Sequence, residues 1–101
     1  MAEEKTVVIF RKYPEGDILA IFPEIPSDPW GAECMVYQHI GQHGGGDCNL
    51  MMRATKPARP SEYKELKKEL EGIGYVLDVH EKSTPRMAKK RRDEADARIS
   101  R

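Results

Sequence analysis

Cys34, His39, His43 and Cys48 are spaced C-x4-H-x3-H-x4-C, and two thiols with two imidazoles are the ligands that tetrahedral zinc prefers. The spacing lacks the close Cys-x2-Cys pair with which zinc modules present two sulfurs to one point. If 33–40 is an extended strand, Cys34 and His39 also project to opposite faces, and one metal reaches both only where the strand breaks. A catalytic use of the same stretch would take His39 or His43 as general base, with Asp47 orienting the ring. A nucleophile is missing: Asp47 sits beside Cys48 and its charge should raise that thiol's pKa, and there is no Gly-x-Ser-x-Gly elbow. Gly44–Gly46 are followed by no Gly-Lys-Ser/Thr, which excludes a phosphate loop of that kind. The plainer reading is a histidine-bearing strand end followed by a glycine turn, and the chain reads as a non-enzyme. His39, His43 and Asp47 remain the loop residues to test first.

A second chemistry lies at the C-terminus. Lys89, Lys90, Arg91 and Arg92 form a cationic run flanked by Arg86 and Arg98, enough to neutralise several phosphates and release their counterions. The formal net charge is zero, yet residues 1–81 hold 9 Lys+Arg against 14 Asp+Glu, while residues 82–101 hold 8 against 3. An acidic body thus carries a basic tail. The tail has no aromatic residue to stack on bases, so binding to nucleic acid would run through the backbone with little sequence selectivity. Asp93, Glu94 and Asp96 cancel part of the charge locally, which fits a solvated helix equally well. The tail could also dock on the acidic body of a second copy.

The elements that must position these residues follow from periodicity. "TVVIFRK" at 6–12 and "DILAIFP" at 17–23, with Pro14 and Gly16 between them, predict a β-hairpin. In the second run Ile18, Ala20 and Phe22 share one face and Leu19 and Ile21 the other, so this strand should be buried on both sides. The three prolines of "PEIPSDPWG" at 23–31 predict a surface loop. A third strand is expected at 33–40, a tight reversal at Gly44–Gly46, and a fourth strand or irregular segment at 48–55. Pro60, Ser61, Glu62 and Glu65 suit a helix start, and Tyr63, Leu66, Leu70 and Ile73 form an apolar stripe over 60–72. Gly72 and Gly74 should stop that helix, and "YVLDVH" at 75–80 alternates as a strand. "STP" at 83–85 caps a tail that is rich in helix formers but lacks a continuous apolar stripe, so a helix there should pack on nothing.

The run "YPEGDILAIFPEIPSD" resembles the opening hairpin of HicB-type antitoxins, with Phe22, Pro23, Glu24, Ile25 and Pro26 in the matching pattern. The antitoxins place a helix soon after the third strand, where this chain has prolines and a His–Gly segment. The hairpin together with "YQHIGQHG" and "RPSEYKEL" is more similar to a group of small bacterial proteins. That likeness implies a common fold and carries no activity with it.

A chain of 101 residues with 34% charged and 39% apolar content supports one compact domain. "VVIF" and "ILAIF" are far shorter than the roughly 20 residues of a membrane-crossing helix, and "MAEEK" lacks a secretory signal's basic start. A cytoplasmic location is expected, with Cys34 and Cys48 as free thiols unless zinc holds them. The expected architecture is α+β: a mostly antiparallel sheet of four or five strands, one helix on a face, a domain at 1–82 and a basic extension at 83–101. The expected function is a small binding or regulatory protein, monomer or homodimer. It would meet nucleic acid or an anionic protein surface through Arg86, Lys89, Lys90, Arg91 and Arg92. Zinc binding is the alternative.

Overall fold

The computed structural model describes residues 5–38 and 42–99. The hairpin forms as expected: β1 (Thr6–Lys12) pairs antiparallel with β2 (Ile18–Pro26), Ile9 opposite Ile21 and Lys12 opposite Ile18. Strand β3 (Cys34–Gln38) pairs antiparallel with β2, and β4 (Gln42–Gly46) with β3. On the other side of β1, two short strands share its edge. The antiparallel β5 (Lys56–Pro57) lies against Arg11–Lys12, and the parallel β6 (Leu77–His80) against Thr6–Ile9. The order is β4-β3-β2-β1, then β5 and β6. The result is the α+β class with a mostly antiparallel sheet.

Alternation along β1 and β2 builds a core on each face. Val8, Phe10, Ala20, Phe22 and Tyr37 face helix α2 (Pro60–Ile73), whose Leu66 and Leu70 close that side. Burying each such leucine is worth about 1.5–3 kcal/mol. Tyr63 stacks on Phe10 at 4.2 Å, and Glu62 both accepts from the Arg59 backbone N–H and pairs with Lys12. Ile73 leaves the expected stripe: it is 52% exposed at the last turn. Gly72 stays within the helix, and Gly74, at φ 123°, ends it.

The opposite face carries Ile9, Leu19, Ile21 and Cys34, and there the structure corrects three expectations. The segment expected as a strand or irregular stretch at 48–55 is helix α1 (Cys48–Ala54). Seven residues are too few to hold a helix by propensity, so its ends are held by side chains outside it, one adjacent and one distant. The Asp47 carboxylate accepts from Leu50 N at 3.0 Å. Arg11, projecting from β1, donates to the carbonyls of Met52 and Thr55 and to Thr55 Oγ1. Gly44–Gly46 are not the reversal but lie in β4 opposite Val36, Met35 and Cys34, and positive φ among the described glycines is confined to Gly16, Gly31 and Gly74. The loop expected at 23–31 begins late, because β2 runs on to Pro26. Between Phe22–Met35 and Pro26–Cys34 the register shifts, so three β2 residues lie opposite no β3 partner, and Pro23 is relieved of the ladder bond it cannot donate.

The tail forms helix α3 (Pro85–Ile99), with Thr84 Oγ1 accepting from Met87 N. It packs against β2, contrary to the expectation of an unpacked helix. Its contact face is Met87, Arg91 and Ala95, one residue per turn. A stripe of one methionine, one arginine and one alanine escapes a search for apolar periodicity. Gly31 is what lets α3 approach: its φ is 74°, and a Cβ there would stand 2.8 Å from Arg92 Cα and 3.1 Å from the Arg91 carbonyl. Gly31→Ala should therefore cost about 2–3 kcal/mol, from the left-handed backbone and from overpacking. Urea denaturation checks this, and an unchanged midpoint would mean that α3 does not sit so close. No helix among the described residues is long and apolar enough to cross a membrane.

Candidate functional site

Of the five tail cations, one points inward. Arg91 is 7% exposed, with Nε donating to the Gly31 carbonyl and Nη1 to the Pro23 carbonyl, each at 2.8 Å. It cannot serve as a phosphate contact, which corrects that part of the sequence reading. Lys89 pairs with Asp93 at 2.7 Å and Lys90 with Glu24 at 3.2 Å. Arg86 and Arg92 are exposed, and among the described residues neither has a carboxylate partner. The helix thus presents two uncommitted guanidinium groups and two lysines already in salt bridges.

Sequence reasoning missed Trp30. The indole is 73% exposed, and it immediately precedes Gly31, whose backbone abuts α3 at Arg91 and Arg92. The aromatic absent from the tail is carried by the loop that meets it at Gly31. Asp28 shapes that loop: its carboxylate accepts from Glu33 N at 2.8 Å, and this bond with further backbone bonds holds its pKa below the ordinary value. A lone tryptophan among prolines, in a chain with no other, was the only signal available.

The proposed ligand set divides between the two faces of the sheet. Cys34 and Cys48 meet in one buried cluster. His43 lies on the other face: its ring meets Tyr37 edge-on at 4.7 Å, and its Nε2 is 3.2 Å from Tyr75 Oη. As a four-ligand set the grouping fails at His43, and among the described residues no three His, Cys, Asp or Glu side chains converge on a metal position. His39 lies outside the described residues. Asp47 is engaged as the α1 cap and does not orient His43.

The thiols are not equivalent. Cys34 is raised by its hydrogen bond to Cys48 and then by burial. Cys48 is lowered to about 7, first by the hydrogen bond from Cys34, then, against burial, by the charge of Arg91 and a hydrogen bond from it. The neighbouring Asp47 does push upward, as its position in the sequence implies, but it is the smallest of these effects. Cys48 borders a cleft of about 260 Å³ between α1 and the start of α3, together with Asn49, Thr84, Met87, Arg91 and Arg92.

Fold and site together define a small α+β protein with helices on both faces of its sheet, a docked basic helix and a buried thiol pair. No family model, curated protein or solved structure matches the chain.

Proposed function

We propose that this protein is a non-enzymatic binding protein for single-stranded nucleic acid, which it engages with Arg86 and Arg92 of α3 and with Trp30. The observation that carries this reading is an exposed indole on the residue just before Gly31, the point where the loop backbone meets the basic helix. Guanidinium groups hold phosphates, and an aromatic face stacks on a base of any identity, a combination that binds single strands with little sequence preference. Lys89 and Lys90 add charge at the rim, screened by Asp93 and Glu24. Arg91 fixes the helix that presents them.

Trp30 is the single tryptophan of the chain, so its fluorescence reports directly on the site. Titration with a short single-stranded RNA should quench it and saturate, and the affinity should fall as salt rises. Arg86→Ala with Arg92→Ala should flatten the slope of log K against log salt by about 1.4, two phosphate contacts on a single strand. Trp30→Ala, followed by anisotropy of a labelled strand, should cost about 1–3 kcal/mol of stacking. Absence of salt-sensitive quenching by the intact chain overturns the reading. Equal binding of a base-free polyanion such as heparin, with no loss in Trp30→Ala, would replace it with a purely electrostatic contact.

A further inference from the structure

We propose that Cys34 and Cys48 form a redox-active dithiol that closes to a disulfide by exchange with a low-molecular-weight disulfide bearing carboxylates, admitted through the cleft beside α3. Three observations meet here. First, the thiols come from different elements, the start of β3 and the first turn of α1, and pack together in one buried cluster. Cys34 lies opposite Gly46 in the ladder, only two residues before Cys48, so the chain returns Cys48 to its partner within one short reversal. A disulfide requires its two Cβ positions to lie close, and both the shared cluster and the short return of the chain favour that.

Second, a cation is buried beside them. Arg91 has no carboxylate partner among the described residues; its guanidinium donates to two carbonyls and lines the same cleft as Cys48. An inert core cysteine sits among apolar side chains, whereas a reactive one sits in an electropositive microenvironment. Third, access is one-sided. Cys48 borders the cleft, while Cys34 is 0% exposed behind it among Ile9, Leu19 and Ile21. Arg92 and the polar Asn49 and Thr84 at the cleft wall suit a reagent carrying carboxylates.

The exchange balances without another reactant. The Cys48 thiolate attacks one sulfur of the reagent RSSR; the reagent's S–S bond breaks, a mixed disulfide forms on Cys48, and RS⁻ leaves and takes a proton. Cys34 then gives its proton to solvent and attacks the Cys48 sulfur, and the second RS⁻ leaves and is protonated. Two protein thiols are oxidised and one reagent disulfide is reduced to two thiols.

The test uses the full chain, reduced, desalted and equilibrated with mixtures of oxidised and reduced glutathione. The mixtures are quenched with N-ethylmaleimide under denaturing conditions and read by intact mass. Wild type should lose about 2 Da and take up no maleimide as the mixture becomes oxidising, and dithiothreitol should reverse this. Cys34→Ser should stop at one glutathione adduct on Cys48, and native Cys48→Ser should react at least tenfold more slowly. Two maleimides on wild type under the most oxidising mixture, or a disulfide-linked dimer in place of the intramolecular bond, overturns the proposal without recourse to a variant. Adducts forming equally fast on Cys34 in a Cys48→Ser protein that circular dichroism shows to be folded would also overturn it.

Discussion

Arg91→Met is expected to lower the free energy of unfolding by about 3–4 kcal/mol, because two hydrogen bonds from a charged donor are lost and two buried carbonyls are left unpaired. Those carbonyls belong to Pro23 and Gly31, on the extended end of β2 and in the loop after it, so the loss falls where α3 meets the sheet. Arg92→Ala, one residue away and exposed, should stay within about 0.5 kcal/mol. Urea denaturation of the two variants side by side separates the roles. If both shift stability equally and slightly, Arg91 does not anchor the helix. Arg91→Lys should fall between them, since an ammonium cannot reproduce the guanidinium fork that reaches both carbonyls.

Arg11→Met should cost about 3 kcal/mol by the same logic applied to α1. Arg11 is 8% exposed, its pKa is lowered by burial, and it closes the C-terminal end of α1 through Met52 and Thr55. Removing it leaves those acceptors unpaired and frees a seven-residue helix that propensity alone does not maintain. Amide hydrogen exchange should then show protection lost over Cys48–Ala54 with little change in Pro60–Ile73. An even loss across the molecule would show that Arg11 supports the sheet and not α1.

These two arginines mark where sequence reading stops. The hairpin at β1 and β2 was legible because period-2 alternation states which residues share a face, and both cores divide as that alternation says. Helix α2 was legible because Leu66 and Leu70 lie on one stripe and a proline opens it. Helix α1 was not, because "CNLMMRAT" has no helical period to read and its caps come from Asp47 and from Arg11, 41 residues before Met52. The glycines of β4 read as a turn because glycine permits one. The structure instead uses Gly45 in a strand where a Cβ would press on the Ser27 side chain.

The site was half legible for the same reason. Counting charges located the basic helix but not its rotation, and rotation decides that Arg91 is a buried anchor while Arg86 and Arg92 face outward. Spacing located the cysteines and histidines but grouped them by proximity in sequence, whereas the sheet sends Cys34 to one face and the chain returns His43 to the other. It also brings Gly31 and α3 together across more than fifty residues.

The sequence by itself determined the α+β class, the central hairpin, the main helix and the charge asymmetry, because each is a local pattern repeated along the chain. The tertiary structure alone decided which arginine is buried, which cysteines share a core and which loop meets the basic helix. Those outcomes depend on which face each element turns inward, and that is settled only when distant segments compete for the same core.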